Sequence, residues 1–230
     1  AQTYDVTTET VRRDLAALDR IGILRRVHGG AVPVGALHVV EPGVMERETT
    51  RADHKDAIAR AALEFLPISG GSVLLDAGTT TGRVAAMLPT DRELVVVTNS
   101  VPIAARVAAM PTVSLQLLGG RVRGLTQAAV GEPALRLLDT LRVDVAFIGT
   151  NGISVEHGLS TPDSDEAAVK RAMVRAAGYV VVVADSSKVG REDLLSFAPI
   201  DRVDVLITDA ELADADRAQL ADRGVEVVIA

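Results

Sequence analysis

Residues 72–81 read Ser-Val-Leu-Leu-Asp-Ala-Gly-Thr-Thr-Thr, a short apolar run that ends in a small, polar turn. Four residues rich in Val and Leu are typical of a buried β-strand. The Gly-Thr turn after them favours the start of a helix, which we expect to reach about Leu88. Because a strand that leads directly into a helix is the repeating unit of α/β folds, this stretch predicts the architecture of most of the chain.

Apolar runs of the same kind recur along the chain, and amphipathic segments separate them. The predicted strands are Ser72–Leu75, Leu94–Thr98, Val113–Leu118, Val143–Ile148, Tyr179–Ala184, Val203–Ile207 and Val225–Ile229. Short, nearly continuous Val, Ile and Leu runs are typical of parallel strands that are buried on both faces. We therefore predict an α/β fold with a Rossmann-like, doubly wound parallel sheet, and a helix over Ala52–Leu66 in front of it.

Five of the predicted strands end in small, polar or Gly-rich turns. In doubly wound sheets, ligands bind beyond the carboxyl ends of the strands, and free N–H groups at a helix start suit a phosphate. Together the turns indicate one polyhydroxylated, anionic small ligand. The candidate ligand-binding residues in these turns are Asp76, Gly78, Thr79, Thr80, Thr81, Thr98, Asn99, Ser100, Gly119, Gly120, Arg121, Gly149, Asn151, Gly152 and Lys188.

Each turn also has a simpler structural explanation. The threonines after Gly78 and the pair Asn99-Ser100 are ordinary helix caps in this alternative. The glycines of the third and fourth turns would then only allow tight turns, with Arg121 on the surface. Lys188, in the turn that follows Asp185, would simply face solvent.

Glu166 and Lys170 lie four residues apart on a helix that we expect to begin near Pro162. Thr161 is the expected N-cap, and a capping box of Asp163 with Glu166 is the alternative. The two side chains form either a helix-face ion pair worth about 0.3–0.5 kcal/mol or the mouth of the ligand pocket.

The first thirty residues have a different character from the rest. Val11, Leu15 and Leu18 form one apolar stripe of a helix, and a β-prone hairpin rich in Arg, His and Gly follows it. A helix and then a hairpin is how a winged helix-turn-helix ends: a recognition helix, then a wing. The candidate DNA-binding residues are Thr7, Thr8, Thr10, Arg12 and Arg13 in the helix and Arg25, Arg26 and His28 in the wing. The alternative is a solvated amphipathic helix with exposed arginines.

Composition limits the functions that are open to this chain. Its 230 residues contain no cysteine, which excludes disulfides and thiolate metal sites and suits a reducing cytoplasm. We expect no cofactor and no metal. We also expect no membrane partner, since no apolar run is long enough to span a bilayer. The net charge is −7, yet residues 1–30 carry five arginines and four acidic residues. DNA contact must therefore come from this local cluster.

The N-terminal string resembles the signature of the DeoR family of bacterial transcription repressors. The matching residues are Val6, Thr10, Val11, Arg12, Arg13, Asp14, Leu15, Gly22, Leu24, Arg26, His28, Gly29, Gly30 and Ala31, while Thr7 stands where the family usually has Ser. In that family about two more helices precede this one. The resemblance therefore implies that residues 1–34 are the C-terminal part of a winged helix-turn-helix domain, and DNA binding by this chain alone is open.

The rest of the chain is similar to the sensor domain of the same family. Matching segments lie at His54-Lys55 with Ile58-Ala59, Asp76–Thr80, Thr98–Ser100, Leu118–Gly120, Asp144–Gly152, Glu166–Arg171 and Asp185–Lys188. The resemblance implies a sensor domain over residues 51–230 after a linker at 35–50. It also implies a fold related to ribose-5-phosphate isomerase and CoA transferases, and a sugar phosphate that weakens operator binding.

Two functions remain open at this point. The first is a repressor of a sugar-metabolism operon, a homo-oligomer (dimer or tetramer) that binds operator DNA and is released by a sugar phosphate. Fructose 1-phosphate is the first candidate effector, on overall likeness to fructose-operon regulators. The second is a sugar-phosphate isomerase, for which Asp76, Glu166, Lys170 and Lys188 could supply acid–base groups. The DNA-reading string favours the repressor, because an isomerase has no use for it.

Arg12→Ala is expected to weaken operator binding without changing sugar-phosphate affinity, because the arginine lies on the recognition helix. Lys188→Ala is expected to do the reverse. Fluorescence anisotropy with operator DNA and calorimetry with the sugar phosphate measure the two affinities. Two variants that each reduce both affinities equally would contradict the separation of the sites.

Overall fold

The computed structural model describes residues 8–20, 24–27, 30–33, 41 and 43–230. The chain divides into two compact units, Ala1–Glu41 and Pro42–Ala230. No helix in the described part of the chain has the length and apolar character needed to cross a bilayer.

The first unit contains the helix and the hairpin that the sequence predicts. Helix α1 spans Thr8–Arg20, and strands β1 (Leu24–Val27) and β2 (Gly30–Pro33) pair antiparallel. The stripe residues Val11, Leu15 and Leu18 are half-buried, whereas the side chain of Arg13 is 81% exposed. Of the other predicted DNA contacts, Thr7 and His28 lie outside the described residues. So do the side chains of Thr8, Thr10, Arg12, Arg25 and Arg26.

The second unit alternates helices with strands. In chain order its elements are α2 Val44–Thr49, α3 Ala52–Ala62, β3 Ser72–Leu75, α4 Thr79–Ala86, β4 Leu94–Thr98, α5 Val101–Val107, β5 Val113–Leu117, β6 Arg121–Arg123, β7 Ala128–Val130, α6 Glu132–Thr140, β8 Val143–Ile148, β9 Gly152–Ser154, β10 Gly158–Thr161, α7 Ser164–Ala176, β11 Ala177–Val183, β12 Leu195–Ala198, β13 Val205–Thr208, α8 Asp214–Ala221 and β14 Glu226–Ile229.

Seven parallel strands form the central sheet, in the order β14-β13-β11-β8-β3-β4-β5. They correspond to the seven apolar runs, so the predicted α/β fold is confirmed. Both faces are buried because successive side chains of a strand point to opposite sides. On β3, for example, Leu74 packs with the core of α6 and α7, while Val73 and Leu75 pack with the core of α3, α4 and α5.

The strand order reverses between β3 and β8. From β3 the chain proceeds through β4 to β5 in one direction, and it then returns to place β8 on the other side of β3. The loops that leave adjacent strands in opposite directions open a crevice at their carboxyl ends, which is where ligands bind in folds of this kind. The residues directly after β3 and β8 are therefore the centre of the candidate site.

The start of α7 is not where the sequence predicts it. Asp163, not Thr161, is the N-cap: its side chain accepts hydrogen bonds from the backbone N–H groups of Asp165 (3.1 Å) and Glu166 (3.0 Å). Thr161 ends strand β10, and its hydroxyl donates to Asn151 Oδ1 at 3.2 Å. The expected cap Thr161 was thus wrong and the alternative, Asp163, is the cap, because an Asp caps more effectively than a Thr committed to a strand.

Smaller differences concern short elements. Part of the expected linker, residues 44–49, is the helix α2, and the helix predicted over Ala52–Leu66 ends as a 3-10 turn at Leu63–Phe65. Helix α4 ends at Ala86 and not at Leu88. The strands of two small antiparallel sheets, β6-β7 and β12-β10-β9, were not predicted. Their strands have three or four residues and no continuous run of Val, Ile and Leu, which is the pattern that identified the central strands.

Gly158→Ala is expected to lower the free energy of unfolding by about 3 kcal/mol. Gly158 has a φ of 74°, and an added Cβ would lie 2.1 Å from the carbonyl oxygen of Ala198. A left-handed backbone alone costs an L-residue roughly 1–2 kcal/mol, and the overlap adds to it.

Gly190→Ala is the matched control for this prediction. Gly190 has a φ of 76°, but an added Cβ would meet nothing within 4 Å. It should therefore cost only about 1 kcal/mol. Urea unfolding measures both variants, and equal losses would contradict the close backbone approach at Gly158.

Candidate effector site

Polar residues or glycine follow five neighbouring strands at the carboxyl edge of the central sheet. The strands are parallel, so the residues after their ends share this edge. These are Asp76 after β3, Asn99 after β4, Gly149 after β8, Asp185 shortly after β11 and Asp209 after β13. The sequence analysis included all of these turns except the one with Asp209.

A buried ion pair lies at the reversal of strand order. The ammonium group of Lys170, on α7, is hydrogen-bonded to Asp76 Oδ2 and donates to the carbonyl oxygen of Gly149 at 2.9 Å. The N–H of Gly149 donates to the same Asp76 oxygen at 3.0 Å. Asp76 is 1% exposed and Lys170 4%. The pair therefore joins β3, the loop after β8 and α7 at one point.

Two effects act on the pair in opposite directions. Burial raises the pKa of the Asp76 carboxyl, and the charge and hydrogen bond of Lys170 oppose that rise. The ammonium also lies 5.5 Å from the centre of the Phe197 ring, a favourable position for a cation. Both charges are enclosed and hydrogen-bonded to protein groups, so the pair fixes the backbone at the strand-order reversal.

Glu166 does not pair with Lys170, so the helix-face ion pair is wrong. Its carboxylate accepts a hydrogen bond from the Thr126 hydroxyl and one from Arg123 Nη1 at 3.1 Å. Arg123 also contacts Asp163, at 3.1 Å. Both partners belong to the β6-β7 hairpin region, so Glu166 attaches this hairpin to α7. Thr126 and Arg123 carry no motif by which the sequence could have identified them.

The turn after β4 supports the loop after β3. Asn99 Oδ1 accepts from the N–H of Ala77 (3.0 Å), and its Nδ2 donates to the carbonyl of Ala129 (3.3 Å). The Thr98 hydroxyl donates to the carbonyl of Leu75 at 2.6 Å. Ser100 caps α5 by accepting from the N–H of Ile103, as the simpler explanation of this turn predicts. These buried contacts fix the backbone that leads into α4.

The N-terminus of α4 opens directly after this supported loop. Gly78 is its N-cap, and no side chain accepts a hydrogen bond there. Thr79, Thr80 and Thr81 are all buried, and the Thr81 hydroxyl donates to the carbonyl of Gly78 at 3.0 Å. The threonines are therefore not caps. The first N–H groups of a helix have no partner within the helix, so this end is suited to an anion.

Gly120, Gly152 and Arg121 have structural explanations. An added Cβ would lie 2.4 Å from the carbonyl oxygen of Val130 at Gly120 and 2.5 Å from that of Arg191 at Gly152. Close backbone packing thus requires glycine at both positions. Arg121 is 66% exposed and contacts Asp165 at 2.5 Å, on the outside of the hairpin. Gly119 is exposed, and nothing lies within 4 Å of an added Cβ there.

An ionic network that the sequence analysis missed lies at the ends of β11 and β13. The guanidinium of Arg51 contacts Asp185 (3.3 Å), Asp209 (3.2 Å) and Glu211 (2.8 Å). His54 Nδ1 lies 3.4 Å from Asp209. Arg51 precedes α3 with a φ of 53°, in the left-handed region, so the chain turns sharply just before this helix. Such a backbone conformation is uncommon for a residue other than glycine, so the sequence does not predict it at Arg51.

The environment of Asp209 keeps it ionised. Burial raises its pKa, but hydrogen bonds from the backbone and hydroxyl of Ser186, one from the N–H of Glu211 and the charge of Arg51 together lower it to about 2. Within the described residues, no cluster of acidic or histidine side chains is arranged to hold a metal ion. The network instead attaches the start of α3 to the strand ends.

Two lysines lie beside this network. Burial lowers the pKa of Lys188, and the charge of Asp185 opposes that effect. Burial also lowers the pKa of Lys55, to about 8. The Lys55 ammonium donates to the carbonyl of Thr50 at 2.7 Å and is hydrogen-bonded to that of Arg47. The carboxyl edge thus has cations near β11 and an uncapped helix start near β3.

These features together define a class of protein. A helix and β-hairpin of helix-turn-helix type are followed by an α/β unit with a polar crevice at its strand-order reversal, as in ligand-responsive transcriptional regulators. A family model described as the DeoR-like helix-turn-helix domain matches residues 1–34. A second, the DeoR C terminal sensor domain, matches residues 50–210. The chain belongs to the DeoR family.

Curated relatives match along nearly the whole chain. The HTH-type transcriptional regulator GlpR of Haloferax volcanii is 41% identical over 95% of this chain and 85% of its own length. A putative aga operon transcriptional repressor of Escherichia coli O157:H7 is 34% identical, over 98% and 84%. The glycerol-3-phosphate regulon repressor of Escherichia coli K12 is 31% identical, over 90% and 81%.

Among solved structures, the chain is similar to ribose 5-phosphate isomerase A from Methanocaldococcus jannaschii. The identity is 17%, the TM-score is 0.45, and the alignment covers 61% of this chain and 55% of the isomerase.

Lys170→Met is expected to lower the free energy of unfolding by about 3–5 kcal/mol, because it leaves the Asp76 carboxylate buried without a counter-charge. Adding Asp76→Asn removes that charge and keeps an oxygen for the N–H of Gly149, so the double variant should recover most of the loss. Urea unfolding of the wild type, both single variants and the double variant measures this coupling. A double variant no more stable than Lys170→Met would contradict it.

Proposed function

We propose that this protein is a transcriptional repressor of a sugar-metabolism operon, released from operator DNA by a phosphorylated sugar that binds at the carboxyl edge of its α/β unit. The observation that carries the proposal is the uncapped start of α4 at the strand-order reversal, on the same sheet edge as Lys188. Two relatives are named as repressors, one of an operon and one of the glycerol-3-phosphate regulon, and both names support repression of transcription.

A phosphate is the chemistry that best suits this edge. The N-terminus of α4 presents backbone N–H groups and the positive end of the helix dipole, and Thr79 and Thr80 add hydroxyl groups. Lys188 adds a charged donor near β11. Only the strand β8 lies between β11 and β3, so the ends of these two strands are two spacings of about 4.8 Å, about 10 Å in all, apart. A sugar phosphate spans such a distance.

The operator-binding role belongs to the first unit. Arg13 extends from α1 with its side chain exposed, and the β1-β2 hairpin follows as a wing follows a recognition helix. Arginines near the start of a recognition helix bind guanine edges or phosphates, and wing cations contact the backbone of DNA. We expect a homo-oligomer, because two such helices read the two halves of an operator.

The isomerase alternative receives less support from the geometry. Proton transfer at a sugar carbon needs a carboxylate that reaches the substrate. Asp76 is enclosed with Lys170, and Glu166 is held by Thr126 and Arg123. Both carboxylates are thus engaged in structural contacts, and relatives of 31–41% identity carry the names of regulators and repressors.

A thermal-shift screen with sugar phosphates tests the proposed effector class. Fructose 1-phosphate is the first candidate, and glycerol 3-phosphate and other sugar phosphates complete the panel, with the free sugars and glycerol as controls. A ligand that binds only the folded state raises the melting temperature, by an amount equivalent to about 2.7 kcal/mol at a hundred times its Kd. We expect at least one phosphate to do so and its unphosphorylated counterpart not to. A panel without any shift would contradict the sugar-phosphate effector and leave the family assignment intact.

A further inference from the structure

The β6-β7 hairpin contacts both the candidate site and the first helix of the second unit. At its base, the N–H of Ala129 donates to the Asn99 carbonyl at 2.7 Å, and Asn99 Nδ2 donates to the Ala129 carbonyl at 3.3 Å. The same Asn99 side chain accepts from the N–H of Ala77, just before the start of α4. The hairpin is therefore joined to the loop from which α4 opens.

The tip of the hairpin, residues 124–127, is anchored on α7. The Thr126 hydroxyl donates to the Glu166 carboxylate, and these residues are only 4% and 6% exposed. Arg123, the last residue of β6, contacts the same carboxylate at 3.1 Å. Gln127 has a φ of 57°, which is uncommon for a residue other than glycine and persists only where surrounding contacts hold it. The tip is thus held in one conformation.

The tip also holds the start of α2. The N–H of Val44, the first residue of this helix, donates to the Leu125 carbonyl at 3.0 Å. No side chain caps α2, and the first N–H groups of a helix have no partner within it. The hairpin carbonyl therefore supplies an acceptor that a cap would otherwise provide. The second unit begins directly before α2, and the chain that enters it comes from residues 1–41.

We infer that the β6-β7 hairpin couples the effector crevice to α2, and so passes the state of the site to the chain that arrives from the helix-turn-helix residues. This inference rests on the proposed function and adds to it a route for its regulation. A ligand at the start of α4 holds the loop after β3. Through Asn99 it then holds the hairpin, and with it the first turn of α2, more firmly. Contiguous hydrogen bonds between elements are one physical means by which two sites are coupled.

Three variants at helix starts separate the α2 hydrogen bond from side-chain effects. Val44→Pro removes the N–H that donates to Leu125, and proline is tolerated at the first position of a helix. Gly43 has a φ of −63° and a ψ of 161°, the extended conformation that a residue before proline favours. Val44→Ala shortens the same side chain and keeps the N–H. Asp214→Pro places a proline at the first position of α8, again after an extended residue.

Thr126→Val loosens the tip at its other contact, because it removes the hydroxyl that donates to Glu166 and keeps the shape of the side chain. Hydrogen exchange on the full chain, without ligand, measures the effect at residues 44–49. Thr126→Val and Val44→Pro should each speed exchange there by roughly fivefold, the effect of losing one hydrogen bond. The double variant should be no faster than Val44→Pro, since the tip no longer holds α2.

The controls show whether the effect is local. Val44→Ala and Asp214→Pro should exchange like the wild type at residues 44–49. Strand β3, Ser72–Leu75, should exchange like the wild type in every variant, which shows that the sheet is intact. Wild-type exchange at residues 44–49 in Thr126→Val would overturn the inference even if Val44→Pro failed to fold. Purely additive effects of the two changes would overturn it as well.

The outcomes with ligand distinguish this inference from the proposed function. The probe is fructose 1-phosphate, followed by any other phosphate of the panel that raises the melting temperature. The bound probe should slow exchange at residues 44–49 in the wild type and in Val44→Ala, and not in Val44→Pro. A probe that binds and slows these amides in none or in all three proteins would overturn the hairpin route alone. A panel without a binder would overturn the proposed effector class, and the ligand-free result would then decide whether the hairpin holds α2.

Discussion

The buried ion pair of Lys170 with Asp76 is the interaction on which the candidate site depends. It forms where the sheet reverses its strand order. It joins the end of β3, the loop at Gly149 and helix α7. A pair enclosed in this way adds little stability over apolar residues, but losing one partner is costly. The pair therefore holds the loops after β3 and β8 in a single arrangement. The start of α4, which follows the β3 loop, is positioned by it.

The carboxyl edge contains two kinds of polar group. Asp76, Asn99, Glu166 and Asp209 are hydrogen-bonded to protein partners, and these contacts fix backbone and helices in place. The start of α4 is different, because no side chain caps it and its first N–H groups are left for a ligand. Functional sites commonly retain such costs, since a group already satisfied by the protein has nothing to offer a ligand.

The sequence predicts the sheet well and the site only in part. All seven central strands follow from Val, Ile and Leu runs because both faces of a parallel sheet are apolar. The strand ends then identify Asp76, Asn99 and Gly149, since topology brings them to one edge. Partners set by tertiary contacts were not predictable. Lys170 pairs across 94 positions of the chain and not with Glu166 four positions away, and the left-handed Arg51 belongs to no motif.

The location of the bound anion is the most direct test of how this protein senses its effector. A crystal structure of the chain with a sugar phosphate that raises its melting temperature would give that location. The sugar phosphate is expected at the carboxyl edge of the sheet, between the start of α4 and Lys188, with Lys170 and Asp76 still paired. Phosphate density elsewhere, such as the surface cavity lined by Glu156, His157 and Arg223, would contradict an effector site at the strand ends.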